Sequence, residues 1–388
     1  MVAVFTYSDV AHLPSVEQRL RAGLNCCLER ISSGVYEVVS LCAVSEHRPF
    51  GYFVDDPSTL RPPVTGIASG RNHDPLWRRY VRDRHLAWIR AHGSIRAEDV
   101  VSHRSAALVH GVPYIGPEPG RIELVNPVAS RSGRSIHRRQ RTIPEAHTMR
   151  LVDIPGPSSA SVIPATSSSV PLHLQHKSIT LDAPVSAADG LRITTPARTA
   201  VDLAKDCGIQ SGVAALDSYL AHGELAGGPK NRFTAFPPAE DVVAVRRETL
   251  SSIIEIAGRG PGRRRLLTAV DWATGLAESP AESLATVGFR HLGITDVQQQ
   301  AWIHDAAGTR VGRVDFLIER ARVVIEIDGM EKYASGIDPN LMQRDVLMAE
   351  KEREHRIRRC GYTVLRLTWA DVIDLQRFRR ALQRVGLV

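Results

Sequence analysis

RVDFLIERARVVIEIDG, residues 313–329, decides how the last third of the chain is read. Two runs rich in β-branched and aromatic residues flank a short charged segment, which predicts an antiparallel hairpin. Asp315, Glu326 and Asp328 lie inside those runs. A desolvated charge with no partner costs several kcal/mol or more, so three carboxylates in a buried hairpin need a compensating feature. If the chain reverses at Arg320-Ala321, facing residues keep a constant sum, and Asp315 stands about 5 Å across from Glu326. Glu326 and Asp328, two apart on one strand, share a face. Like charges across a sheet repel, and a shared proton, an arginine such as Arg313 or Arg322, or a divalent cation would relieve them. Oxygen ligands suit a hard cation, Mg²⁺ or Mn²⁺. Lys332 follows four residues after Asp328, and Glu282 lies on the helix that leads into this region.

The flanking sequence predicts a helix over 278–292, strands near 297–304, 310–318 and 322–328, a charged helix over 341–360, a strand over 361–369 and a closing helix over 371–386. Strands gathered between helices imply a sheet flanked by helices.

The order of helix Glu282, strand Asp315 and strand Glu326-Ile-Asp328 resembles the PD-(D/E)XK nuclease fold. The likeness is to the branch similar to the very-short-patch-repair (Vsr) endonucleases. It runs through SPAES (279–283), Gln300 with Ile303 and Asp305, GRVDF (312–316), VVIEIDGMEKY (323–333), AEKERE (349–354) and GYTVLRLTWADV (361–372). The resemblance implies metal-dependent hydrolysis of DNA phosphodiester bonds, with Asp315 and Glu326 on a Mg²⁺ or Mn²⁺ ion, Glu282 assisting, and Lys332 orienting the attacking water. The family pattern has a lysine two residues after the glutamate. Here that position is Asp328, so Lys332 is the substitute at hand.

At the other end, VEQRLRAGLNCCLERISSGVYEVVSLC (16–42) predicts a polar helix closed by Gly23, a second short helix through Leu28, and a strand after Gly34, the order of a winged helix-turn-helix. Arg19, Arg21 and Arg30 are its candidate phosphate contacts. Residues 46–75, rich in Pro and Gly, predict a loop. Helices are expected over 76–93 and from Ser102 to Gly111, with a short strand over 121–128. Residues 131–150 hold six arginines against one glutamate, with Arg138 and Arg139 as candidate DNA contacts; residues 154–171, with six Ser and four Pro, have linker composition. A strand, a helix that starts at Thr195-Pro196, and further helices over 211–222, 239–256 and 262–276 follow. SHRSAALVHGVP (102–113) and GLRITTPARTAVDLA (190–204), with the N-terminal pattern, resemble the AbiEi-type antitoxins of type IV toxin-antitoxin systems. That likeness implies a winged-helix DNA reader, a second domain and a cognate toxin as partner.

The expected architecture is mixed α/β and multidomain. A winged-helix region occupies 1–75, an α+β middle domain 76–270 with an insertion at about 151–176, and a nuclease-like mixed sheet flanked by helices 271–388. The balance of 49 Lys+Arg against 42 Asp+Glu leaves +7, with a pI near 9.4, which suits a polyanion such as double-stranded DNA. Arg353 and Arg356 are expected to face DNA beside the carboxylates. Two readings follow: an endonuclease, or a DNA-binding regulator or antitoxin that keeps the fold without cutting. The five cysteines show no CxxC pair and no zinc-ligand spacing with histidine, and read as reduced thiols. No apolar run approaches the roughly 20 residues of a membrane span and no signal core opens the chain, so a cytoplasmic protein without a membrane partner is expected.

Overall fold

A computed structural model of the chain describes residues 3–54, 60, 81–82, 84–89, 91, 100–116, 119, 122–125, 148–150, 192–223, 237–328 and 342–388. It is mixed α/β, with three small sheets among the described residues, and divides into two units. The first takes residues 1–112, 116–202 and 224–231; the second takes 113–115, 203–223 and 232–388. The helices at 209–222, 240–257 and 263–272 therefore group with the C-terminal sheet rather than with a middle domain ending at 270.

The first unit opens with β1 (Val4–Thr6), α1 (Tyr7–Val10), α2 (Val16–Leu24) and the hairpin β2 (Leu28–Ser32) and β3 (Val35–Val38). Thr6 starts α1 through a capping box: its N–H and its hydroxyl donate to Asp9 Oδ2 at 2.6 and 2.7 Å. The second short helix expected through Leu28 is instead strand β2. The amides of Cys26 and Cys27 bond back to Gly23 O and close α2, and LERIS then pairs with VYEV around Gly34, whose φ of 78° favours glycine. The loop expected from residue 46 begins as a 3-10 helix, Ser45–Phe53, because Phe50 drops into the same small core as Phe5, Leu20 and Tyr36.

β2 and β3 set Glu29 directly across from Glu37. Arg84 resolves this repulsion, with Nε donating to both Glu37 oxygens at 2.7 and 2.8 Å and Nη2 to Glu29 at 2.7 Å. A second sheet in the unit has the order β5-β4-β7-β6, built from β4 (Val100–Val101), β5 (Leu124–Val125), β6 (Thr148–Arg150) and β7 (Arg192–Thr194). Between β4 and β5 runs α3 (His103–His110), stopped by Gly111 at φ 71°; Ser102 stands at its N-cap position, but its hydroxyl makes no cap bond and lies 3.5 Å from Glu123 O and 2.9 Å from His103 Nδ1. The unit boundary falls inside α4 (Pro196–Asp206).

In the second unit α5 (Ile209–His222), α6 (Glu240–Ala257) and α7 (Arg263–Trp272) precede α8 (Pro280–His291). The buried Asp217 of α5 accepts from the amides of Thr274 and Gly275 at 2.7 and 2.8 Å and from Ser283 Oγ at 2.7 Å, which fixes the approach to α8. Then come β8 (Gln298–His304), β9 (Arg310–Ile318), β10 (Val323–Asp328), α9 (Met342–Arg359), β11 (Thr363–Thr368), α10 (Trp369–Val372) and α11 (Leu375–Gln383), in the order expected. The sheet order is β11-β10-β9-β8, with β10 and β11 parallel and the other pairs antiparallel. Phe316, Ile318, Val323, Ile325 and Ile327 pack against Leu284, Phe289 and Phe378 of α8 and α11. Leu317 and Val324 turn to the opposite face, where Ile357 of α9 covers them.

A candidate carboxylate site

The site lies where β9 and β10 part. Their ladder runs Val323↔Ile318, Val324↔Leu317 and Ile325↔Phe316, the register that a reversal at 320–321 predicts, and it puts Asp315 and Glu326 next in line. Ladder pairing stops there. The amide of Ile327 donates to the Asp315 side chain, Oδ2, at 2.7 Å, so a carboxylate takes the place of a strand carbonyl and is held facing the gap.

The neighbouring strand makes room in the same place. Between Gln299↔Phe316 and Ala301↔Val314 the β8–β9 ladder skips Gln300, the residue in line with Asp315. Gln300 has φ 55°, a left-handed conformation uncommon outside glycine that costs about 1–3 kcal/mol and is held only where surroundings demand it. The demand is visible: its buried Nε2 donates to Glu282 Oε2 at 2.9 Å.

Glu282 is positioned by the start of α8. Ser279 is the N-cap and Pro280 fills the first turn, where a missing N–H costs nothing. The Glu282 carboxylate accepts from Ser279 Oγ at 2.8 Å and from the Glu278 amide at 2.9 Å, and it is only 4% exposed. Burial, then the charge on Asp315, pushes Glu282 up from 4.5 to about 7. The same two causes in the same order push Glu326 to about 7, against the pull of Arg353. The fold thus brings both Glu282 and Glu326 within electrostatic reach of Asp315.

The arginine that pairs with Glu326 is Arg353 of α9. Arg353 Nη2 donates to Glu326 Oε1 at 3.1 Å and to Glu350 Oε1 at 2.8 Å, while Nη1 donates to Arg313 O at 2.9 Å. Its hydrogen bond holds Glu350 down to about 2. Arg313 pairs with Glu278, and Arg322 pairs with Glu319 at 2.8 Å, bonds Cys360 O and lies over the Tyr362 ring. Asp328 is tied through Arg366 to the carboxylates of α9. Its side chain is 44% exposed and accepts from Arg366 Nη1 at 3.1 Å; Arg366 also bonds Glu350 and Glu354, at 2.9 and 3.1 Å.

Of the expected DNA contacts, Arg353 is turned inward onto carboxylates. Arg19 is spent on backbone carbonyls, those of Pro14 at 2.9 Å and Glu46 at 2.7 Å. Arg21, Arg30 and Arg356 are exposed. Lys332, Arg138 and Arg139 lie outside the described residues.

As oxygen donors, Glu282 and Glu326, each raised in part by the charge on Asp315, are of the type that a hard divalent cation takes. Among the described residues one group of three or more potential metal ligands lies close together, Cys26, Cys27, Cys42 and His47, whose ligand atoms all lie within 4.8 Å of one another; Glu282, Asp315 and Glu326 do not form such a group. No described helix is long and apolar enough to cross a membrane. Comparison of the chain with protein-family models, with curated proteins and with solved structures gives no match.

Proposed function

We propose that the chain is a DNA-binding protein whose C-terminal unit hydrolyses phosphodiester bonds with a divalent metal, in the manner of PD-(D/E)XK nucleases. The observation that carries this reading is that Glu282 and Glu326, both largely buried, each feel the charge of Asp315 near where β9 and β10 part and are both raised to about 7. Asp315 and Glu326 would hold Mg²⁺ or Mn²⁺, with Glu282 in support; the chemistry such an ion supplies when bound is a more acidic water and neutralised charge on the phosphate. The chain's own residues set the geometry. Ile327 N–H fixes Asp315, Gln300 and Ser279 fix Glu282, and Arg353 both orients Glu326 and ties it to α9. Lys332 is the residue proposed to orient the attacking water. The order α1, α2 and hairpin in the first unit fits a winged helix-turn-helix, with Arg21 on α2 and Arg30 on β2 exposed for phosphate.

A second reading, a regulator or antitoxin that binds DNA and a cognate toxin without cutting, is favoured by Asp328 standing where the family lysine would, tied to Arg366. One assay separates the two. Supercoiled plasmid is incubated with the full chain and Mg²⁺ or Mn²⁺, with an EDTA control and with Asp315→Asn and Lys332→Ala. Metal-dependent nicking lost in both variants supports hydrolysis. Equal nicking by wild type and Asp315→Asn would sink it, and salt-sensitive DNA retention without nicking would favour the second reading.

A further inference from the structure

We propose that Cys26, Cys27, Cys42 and His47 form a second metal site, separate from the carboxylates, that takes Zn²⁺ as a structural ion. Three pieces of chain meet there. Cys26 and Cys27 occupy the turn between α2 and β2, Cys42 follows β3, and His47 lies in the 3-10 helix. Cys42 Sγ is 3.3 Å from Cys26 Sγ and 3.4 Å from His47 Nδ1, and all four donor atoms fall within 4.8 Å. In a tetrahedral zinc site with Zn–S bonds of about 2.3 Å, neighbouring donor atoms are about 3.8 Å apart. The observed separations straddle that value, so small side-chain adjustments complete the coordination shell. Three sulfurs and one imidazole nitrogen are the ligand set of structural zinc sites, and soft thiolates disfavour Mg²⁺ or Mn²⁺.

The surroundings support the assignment. The Val44 amide points at Cys42 Sγ from 3.5 Å, the kind of N–H contact that holds a ligating thiolate in place. That contact, with those from Cys26 and His47, draws the Cys42 thiol below its usual range. Cys27 is buried and pushed up to about 12, an apolar thiol that a bound cation would deprotonate. His47 is buried beside Phe50, ring centroids 6.2 Å apart, so its ring is held by packing.

There is also something for the ion to do. The core of this corner is small, and much of it, from Leu20 through Cys27 and Leu28 to Phe50, sits directly around the cluster. Small cores commonly need a staple. A zinc ion would tie the 3-10 helix to the turn that ends α2, linking the stability of the helix-turn-hairpin region to metal.

The test uses the full chain, purified reduced without a metal-affinity step, with zinc measured by mass spectrometry and the site refilled with Co²⁺. The expected result is about one equivalent of zinc per chain, a Co²⁺ spectrum with intense tetrahedral d–d bands and a thiolate charge-transfer band, and a lower first melting transition when the metal is stripped. Zinc should fall to background in Cys42→Ser and in Cys26→Ser, the latter altering an exposed side chain and so sparing the fold, while Cys207→Ser and Cys360→Ser keep it. A zinc-free chain with a Cys26–Cys42 disulfide, zinc undiminished in both variants, or an octahedral Co²⁺ spectrum would each overturn the proposal.

Discussion

Replacing Glu326 by glutamine should make the metal-free protein more stable at alkaline pH and leave it unchanged in acid. Glu326 is raised from 4.5 to about 7, first by burial and then by Asp315. Below about pH 4.5 both the folded and unfolded chains carry the proton, and the raised pKa costs nothing. As pH climbs from there through 7, the unfolded chain releases the proton first, so the fold loses stability across that window; the full cost is about 3 kcal/mol. Glutamine has the shape of the protonated acid and never ionises. It keeps an oxygen for Arg353, whose attraction for the ionised form is already counted in the value of about 7. The gain at about pH 8 is therefore about 3 kcal/mol, or about 6–12 °C in the melting of a unit of this size. Circular-dichroism melts with EDTA at about pH 8 and about pH 4.5 provide the assay. If Glu326→Gln melts below wild type by the same amount at both pH values, Glu326 is not held under strain by burial and Asp315.

Three further outcomes are expected. Arg198→Met should destabilise the first unit by about 3–5 kcal/mol, because it removes the cation held 3.0 Å from the fully buried Asp202; Arg198→Met with Asp202→Leu should recover much of the loss, and a melt in which the double variant is no better than the single would refute this. Gly288→Ala should destabilise the second unit even though alanine is the better helix former by about 1 kcal/mol. Its Cβ would meet the buried Phe378 ring at 2.6 Å, and overpacking costs about 1–3 kcal/mol; a raised melting temperature would contradict the packing. Ser279→Ala should cost about 1 kcal/mol as a lost cap and weaken Mn²⁺ binding by releasing Glu282, both measurable in one titration and melt.

The C-terminal topology was legible because its signals are local. Apolar runs between Gly and Pro punctuation fix the strands, and a three-residue connection at 319–321 fixes the register of Asp315 against Glu326. Arg353 and Arg366 were not legible as the partners of this site: they arrive from α9 and β11, and only the way those elements pack decides which arginine meets which carboxylate. The LERIS segment was misread because five residues satisfy either period, and the backbone bonds that end α2 at Gly23 decide the matter. The Cys/His cluster is not legible in the sequence, because adjacent Cys26 and Cys27 lack the usual two-to-four residue spacing, and tertiary folding alone brings Cys42 and His47 to them.

Mn²⁺ binding to the full chain, followed by electron paramagnetic resonance, addresses the carboxylate site without requiring the right DNA. One bound Mn²⁺ is expected at about pH 8, weakening as pH falls through about 7 while Glu282 and Glu326 take up protons. Asp315→Asn should lose it, and Cys42→Ser should retain it. Binding that survives Asp315→Asn, or that ignores pH across this range, would mean that Glu282, Asp315 and Glu326 do not hold a metal.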